Sequence, residues 1–324
     1  MEFRTKPQIA VEMIDRALAN GIRVSAWTFD ELYGRDGKFL DAIQQRRQVF
    51  VAEIPVNLHG WVRAPKILYE GPENRGRGRR KEYPRLAVGT HSSEVRNLAK
   101  HSPVFRQQSW QRYRIKDTDK GPQVWEVKWA VFWRKDADGL PTRQHCLIVA
   151  RNVLTGEVKY FLANRVPGER NPVTGQRVTL RWLLRVAFGR CSIESCFREV
   201  KEELGMDHYE VRGWRCLHRH FYLTQLSHLF CARMRLEDDT DSDEQLDRMT
   251  VEQVRSAVNT WLETADLPPS VRRARFEDEL RKQQWYQRRN KQARQSHTKT
   301  KIGRLATLGI DLDKIKSCLP RPHT

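Results

Sequence analysis

The stretch Ile22–Gly34, IRVSAWTFDELYG, predicts a strand that ends in an acidic turn. Its first eight residues, IRVSAWTF, are rich in β-forming side chains, and Asp30 follows them at the start of the turn. The preceding segment, Pro7–Asn20, has apolar residues at helical spacing, a proline near its start and Gly21 after its end. These features are typical of an amphipathic helix. The strand therefore delivers Asp30 at its carboxyl end.

The following segments extend this pattern. A second helix, DGKFLDAIQQRRQ, and a second strand, VFVAEIP, complete an α-β-α-β run, which indicates an α/β sheet. From residue 123 onward three alternating apolar segments are separated by turn signals, and they predict antiparallel strands in a β-rich insertion rather than more of the α/β sheet. Helical patterns then cover about 179–203, 214–236 and 251–265.

Charge limits the class of partner. The 324 residues include 59 Lys and Arg against 40 Asp and Glu, a formal net charge of +19. Such a basic surface predicts a polyanionic partner, with nucleic acid as the leading candidate. The sequence has no stretch of 18 or more apolar residues and no signal-peptide pattern at its start, so we expect no membrane partner. We expect a bacterial-type cytoplasmic protein associated with the nucleoid.

Two basic segments leave two interpretations open. Five cations lie on the glycine-rich stretch ENRGRGRRK at 73–81, whose glycines do not fit a dinucleotide-binding fingerprint. A second basic segment lacks acids between Glu279 and Asp311. Each is either a solvated, disordered charged segment or a surface that contacts DNA phosphates. An acidic cluster at 237–244 predicts an exposed linker between the helices.

The sequence gives little support to a zinc module, for which the candidate ligands would be Cys191, Cys196, Cys216, His218 and His220. The six cysteines form no C-x-x-C pair, and we interpret them as reduced core thiols. Cys191 and Cys196 would point about 140° apart on a helix, which fits tetrahedral zinc ligation poorly. Trp214, at the start of a predicted helix, is interpreted as a core residue, with a place on a DNA-binding face as the alternative. His228, on an apolar helix, is also interpreted as a core residue. His218 and His220 either pack locally or lie near a DNA-binding face.

Glu194 stands on a predicted helix with cations at regular spacing. Seven residues advance a helix by about 700°, nearly two turns, so Lys201 lies almost directly above Glu194. Arg190, four residues before the glutamate, and Arg198, four residues after it, share roughly that face. One acid among three cations fits a surface salt-bridge ladder or a functional site, and the helix alone leaves both open.

Two motifs resemble the insertion-sequence DDE transposases. Arg190, Glu194 and Lys201 match the R-x3-E-x6-K signature around the last acid of that family, and the following ELGMDHYEVRGW resembles its continuation. WTFDELYG is similar to the family's strand-borne aspartate followed by Y-G, which makes Asp30 the second acid. The resemblance extends over roughly Thr5–Arg235. It includes a β-rich segment between the aspartate and the glutamate, which are 164 residues apart (194 − 30).

The resemblance implies an RNase H-like α/β fold that cuts and joins DNA at insertion-sequence ends. It implies two Mg²⁺ (or Mn²⁺) ions, with Asp30 and Glu194 as catalytic metal ligands, because carboxylate oxygens are the ligands such ions prefer. The implied partners are double-stranded DNA, as transposon ends and target, and a second copy in a homodimer on paired ends. The residues expected to contact DNA phosphates are Arg190, Arg198, Lys201 and Arg212.

The first acid of the family has no counterpart here. The family fold opens with three antiparallel strands, the first of which carries that aspartate, whereas only one predicted helix precedes the strand of Asp30. Asp15, Asp36 and Asp41 are poor substitutes because they belong to predicted helices. We therefore expect a partial core that lacks its first strands, comes from a truncated chain and has weak or no cleavage activity alone. The alternative is a noncatalytic basic DNA-binding protein or transposition inhibitor derived from a transposase.

We expect four segments along the chain. Residues 1–60 form the first half of the partial core, and 176–236 form its second half with the glutamate-bearing helix. Between them, 61–175 form the antiparallel β-rich insertion. The helical C-terminus, 237–324, consists of an acidic linker, a short helix and a basic tail.

Overall fold

The computed structural model describes residues 3–69, 83–238 and 249–319. They divide into two compact units, one made of Met1–Arg190 with Lys301–Thr324 and the other of Cys191–Thr300. The boundary after Arg190 falls inside the expected 176–236 segment. The basic stretch at 73–81 and the acidic side chains at 237–244 lie outside the described residues.

The first unit has mixed α/β structure. Its helices are α1 (Lys6–Ala19), α2 (Glu31–Gly34), α3 (Gly37–Gln45), α4 (Val95–His101), α5 (Pro103–Arg106) and α6 (Leu180–Gly189). Its strands are β1 (Trp27–Phe29), β2 (Phe50–Glu53), β3 (His59–Trp61), β4 (Ile67–Leu68), β5 (Arg85–Leu86), β6 (Ser93–Glu94), β7 (Gln111–Thr118), β8 (Gly121–Lys135), β9 (Pro141–Asn152), β10 (Val158–Ala163) and β11 (Lys316–Ser317). The predicted α-β-α-β start is confirmed, and Thr5 caps α1 through a capping box with Gln8.

One nine-stranded sheet organises the described part of this unit. Its order is β1-β2-β10-β9-β8-β3-β6, with β7 beside β8 and β11 beside β7, while β4 and β5 form a separate pair. The three predicted antiparallel strands are confirmed as β8, β9 and β10. They are not separate from the α/β sheet, however, because β10 pairs antiparallel with β2 through Leu162↔Ala52. Strand β2 therefore pairs with β1 on one side and with β10 on the other, so the β-rich region and the α/β strands form a single sheet.

Helices cover both faces of this sheet. On one face α6 packs Leu183, Leu184 and Phe188 against strand residues that include Ile148 and Phe161. The opposite face carries a second core, in which α1 and α3 contribute Ile14, Leu40 and Ile43, and the sheet contributes Phe132 and Leu162. Because successive strand residues point to opposite faces, β9 is buried on both sides, which explains its unbroken apolar run.

The regular secondary structure of the second unit is helical in its described residues. It contains α7 (Cys191–Leu204), α8 (Trp214–Asp238), α9 (Val251–Glu263) and most of α10 (Pro269–Thr307), whose last residues belong to the first unit. Cys231, Val251 and Val254 form its small core. The predicted α8 and α9 are confirmed. The disordered-tail interpretation of the acid-free segment is wrong, because α10 continues through it. No helix in the described ranges is long and apolar enough to cross a membrane.

Candidate active site at the carboxyl edge of the parallel strands

Asp30 links a strand to a helix. It follows β1 and is the N-cap of α2, where its Oδ1 accepts hydrogen bonds from the backbone N–H groups of Leu32 (3.0 Å) and Tyr33 (3.4 Å). Capping satisfies backbone donors that the first helical turn leaves open. Both bonds fall on one oxygen, so within the described residues Oδ2 keeps its lone pairs for a ligand. The strand-end position predicted for Asp30 is confirmed.

The residues after Asp30 hold the turn against the sheet. Gly34 lies so close to the backbone of Glu53 that a Cβ at position 34 would overlap the Glu53 carbonyl oxygen. The ring of Tyr33 packs between Phe29 and Phe39, with centroid distances of 6.1 Å and 5.1 Å. The Y-G pair therefore has a structural role, since the tyrosine anchors α2 and the glycine lets α2 approach β2.

Glu53 is a site residue that sequence reasoning missed. Strands β1 and β2 are parallel with Phe29 opposite Ala52, so Asp30 and Glu53 occupy the next aligned positions at the carboxyl ends of both strands. Neighbouring strands lie about 4.8 Å apart. Two carboxylates thus stand side by side at one edge of the sheet. Glu53 is the polar residue that ends the second strand of the α-β-α-β run. Ligand sites commonly form at the carboxyl ends of such strands, so this position could have indicated Glu53 from the sequence.

Two cations balance Glu53. The Nζ atom of Lys159, on β10, lies 3.0 Å from its Oε1, and the guanidinium of Arg190 lies 4.0 Å from its Oε2. The Glu53 side chain is only 21% exposed, so these pairs are partly shielded from water. Arg190 caps the C-terminal end of α6. The expectation that Arg190 lies on the glutamate-bearing helix is wrong, because α7 begins at the next residue; Arg190 lies instead at the edge that carries Asp30.

Helix α7 presents Glu194, Arg198 and Lys201 on exposed positions of one stripe. Glu194 lies in its first turn and Lys201 in its last. The guanidinium of Arg198 lies 4.0 Å from Glu202, and both side chains are about two-thirds exposed, so this pair contributes little to stability. Asp30 and Arg190 belong to the first unit, and the three α7 residues belong to the second.

The segment after α7 is more exposed than predicted. Arg212 is exposed, in agreement with a phosphate-contacting role. Trp214 is 73% exposed and makes an edge contact with the ring of His218 at 4.2 Å, so the core interpretation of this tryptophan is wrong. His220 packs locally, with its Nε2 2.9 Å from the Gly205 carbonyl oxygen. His228 is partly buried and lies 3.7 Å from Glu199.

Metal-binding capacity is limited in the described ranges. They hold no group of three or more His, Cys, Asp or Glu side chains that could bind a metal ion. Cys146, Cys231 and Cys318 are buried as predicted, and burial raises the pKa of the Cys318 thiol to about 11. Cys216 is exposed, so the core interpretation is wrong for this residue. Asp15 and Asp41 are engaged by Arg46 and Arg134, and Asp36 caps α3.

Comparison with known proteins adds one finding. Residues 1–122 match the family model described as DDE superfamily endonuclease. The match includes Asp30, Gly34 and Glu53, which build the carboxylate edge, and it ends before Arg190 and Glu194. It covers less than half of the chain. No curated protein matches the chain.

Proposed function

We propose, from the premise that this chain carries a DDE transposase-type domain, that it belongs to the machinery that cuts and joins insertion-sequence ends. The substrate of this class is DNA. The formal net charge of +19 supports such a substrate, because a basic protein gains free energy when it releases the counterions of a nucleic acid. The reaction we propose is phosphodiester hydrolysis followed by transesterification.

The observation that carries this proposal is the contact of Arg190 with Glu53. It holds the end of α6 at the sheet edge where Asp30 stands, with 4.0 Å between guanidinium and carboxylate. Glu194 follows Arg190 by four residues. An aspartate at a strand end and a glutamate four residues after this arginine are the two carboxylates expected of the family. This order along the chain supports Asp30 and Glu194 as the catalytic residues.

Asp30 and Glu194 fit a hard divalent cation. Their carboxylate oxygens are the donors that Mg²⁺ and Mn²⁺ prefer, and Oδ2 of Asp30 is oriented by the bonds that hold Oδ1. In a complete site two such ions would activate the attacking oxygen and stabilise the leaving oxygen. Two carboxylates provide few ligands for two metal ions, and the negative charge of Glu53 is already balanced by Lys159 and Arg190. We therefore propose weak cleavage by this chain alone.

The exposed cations would position the DNA. Arg198 and Lys201 on α7 and Arg212 after it can donate hydrogen bonds to phosphate oxygens, and Arg190 adds positive charge near Asp30. Phosphate contacts fix the orientation of a duplex without reading its sequence. Transposon ends and target DNA are the proposed substrates, and a homodimer on paired ends is the proposed assembly.

A second candidate function is noncatalytic. In it the chain occupies DNA as a basic binding protein or transposition inhibitor. The specific observation in its favour is that no cluster of three carboxylates or other metal-binding side chains is found in the described ranges. The two candidates differ in whether Asp30 and Glu194 share a metal ion.

Iron-directed cleavage of the polypeptide tests the proposal without requiring DNA cleavage. Fe²⁺ replaces Mg²⁺ at oxygen-ligand sites, and with ascorbate and peroxide it cuts the backbone beside the bound ion. We expect cuts near Asp30 and near Glu194, and we expect Glu194→Gln to abolish both. Glu202→Gln, an exposed acid on the same helix, is the matched control and should leave both cuts. A cut near Asp30 that persists in Glu194→Gln would contradict a shared site.

A further inference from the structure

Helix α10 carries a segment of unusual charge. It has no acidic residue from Leu280 to Thr300. The cations in this segment are Arg281, Lys282, Arg288, Arg289, Lys291, Arg294 and Lys299. Arg288 and Lys291 are three residues apart, as are Lys291 and Arg294, so like charges repel along the helix. A polyanion that neutralised them would remove this repulsion.

Three of these seven cations point in nearly the same direction. With 100° per residue, Arg288 and Lys299 lie within about 20° of the direction of Arg281. Gln283 and Gln287, which are partly buried, point about 120° to 160° away. Arg281, Arg288 and Lys299 therefore lie opposite the packed side of the helix, whereas Arg294 lies on that side. The acidic residues of α10 all precede Leu280 in the sequence. One of them, Asp278, has its Oδ1 2.6 Å from Nη2 of Arg281.

The aromatic ring of Trp285 contacts one of these cations, Arg289. Trp285 is 49% exposed, and the guanidinium of Arg289 lies 5.0 Å from its ring centroid. Tyr286 supports Trp285 from the side, with ring centroids 4.9 Å apart. A cation stacked on an indole keeps its N–H donors available at the ring edge and loses less conformational freedom when it binds a phosphate.

We propose that Arg281, Arg288, Arg289 and Lys299, together with Trp285, form a second DNA-binding surface, the α10 basic face. Its partner is the phosphate backbone of duplex DNA of any sequence. From Arg281 to Lys299 the helix rises about 27 Å, which matches about eight base pairs of a duplex. A rigid row of cations suits a regular duplex better than a flexible acidic peptide. The choice of DNA rests on the proposed function, whereas the surface itself requires no metal.

The test measures binding of the full chain to a fluorescein-labelled 30-base-pair duplex of arbitrary sequence. Fluorescence anisotropy is recorded in EDTA at several salt concentrations. The variant Arg288→Gln/Arg289→Gln/Lys299→Gln should bind at least tenfold more weakly. For this variant the slope of log affinity against log salt concentration should be shallower by about two to three, since each lost phosphate contact removes about 0.9 from the slope. Far-UV circular dichroism should remain unchanged, because the replaced side chains are exposed.

The matched control is Lys38→Gln/Lys120→Gln/Lys135→Gln. It removes the same charge from exposed positions in the first unit and should change affinity less than twofold. Equal losses in the two triple variants would overturn the α10 basic face. Equally tight binding of polyglutamate or of single-stranded RNA would overturn duplex DNA as its partner. Duplex binding that depends on α10 while Glu194→Gln leaves iron-directed cleavage near Asp30 unchanged would refute the proposed active site alone.

Discussion

The guanidinium of Arg190 lies 4.0 Å from the carboxylate of Glu53, at the edge of the sheet where β1 delivers Asp30. Together with the apolar packing of α6, this contact places the end of the helix beside the carboxyl ends of two parallel strands. Lys159 shares the same carboxylate from β10. An ion pair therefore joins the α/β start of the chain, which supplies Glu53, to the β-rich region, which supplies Lys159.

Gly34 should tolerate no larger residue. A Cβ in Gly34→Ala would overlap the carbonyl oxygen of Glu53, so we expect a loss of about 1–3 kcal/mol in the free energy of unfolding. Urea denaturation measures it. The control is Gly303→Ala, in α10, where a Cβ would have no neighbour within 4 Å. That change should be neutral or stabilising. Equal effects at the two glycines would contradict the close approach of α2 to β2.

Asp30 has a structural role that can be separated from its charge. Asp30→Ala removes the cap of α2 and should cost about 1 kcal/mol of stability. Asp30→Asn keeps a capping oxygen and should cost much less, since asparagine caps about as well as aspartate. Thermal unfolding of the two variants at pH 7 tests this difference. The asparagine variant is then the suitable one for metal-binding studies.

The ion pair of Arg134 with Asp41 should be important for stability. Arg134 has a side chain only 5% exposed, and its Nη2 lies 2.7 Å from both carboxylate oxygens of Asp41. Asp41→Asn would leave a buried guanidinium without its counter-charge, and we expect a loss of about 2–4 kcal/mol. Adding Arg134→Met should recover part of that loss. Additive losses in the double variant, measured by urea denaturation, would contradict the coupling.

His145 should make the protein less stable in mild acid. Burial lowers the pKa of this imidazole to about 4, while its Nδ1–H donates to the Arg143 carbonyl oxygen at 2.6 Å. The unfolded chain, with a histidine pKa near 6.5, binds more protons between pH 6.5 and 4, so stability falls as pH falls through this window. The full difference is about 3 kcal/mol. His145→Gln should lack this component when urea denaturation is compared at pH 7 and pH 5.

Local patterns predicted the main elements but not how they assemble. The alternation in β8 and the helix expected over Pro7–Asn20 follow from local chemistry, and both are confirmed. The pairing of β10 with β2 joins residues more than 100 positions apart, which no local period reports. Glu53 was missed for that reason, because its partners Lys159 and Arg190 come from distant elements.

Helix α10 and Trp214 show a second limit. Helices are predicted mainly from apolar residues at helical spacing, and the acid-free segment of α10 has no apolar face to supply that signal. Trp214 was interpreted as core because large aromatic residues usually bury most of their surface. Its 73% exposure shows that composition alone does not predict which side of a helix is covered.

Calorimetric titration tests most directly the proposal that Asp30 and Glu194 are ligands of one divalent metal ion. Mg²⁺ and Mn²⁺ are titrated into the wild-type chain, Asp30→Asn and Glu194→Gln, with Glu202→Gln as control. We predict binding in the wild type and the control that is lost in both carboxylate variants. Equal binding in all four proteins, or no binding in any, would contradict the shared site and favour a noncatalytic DNA-binding role.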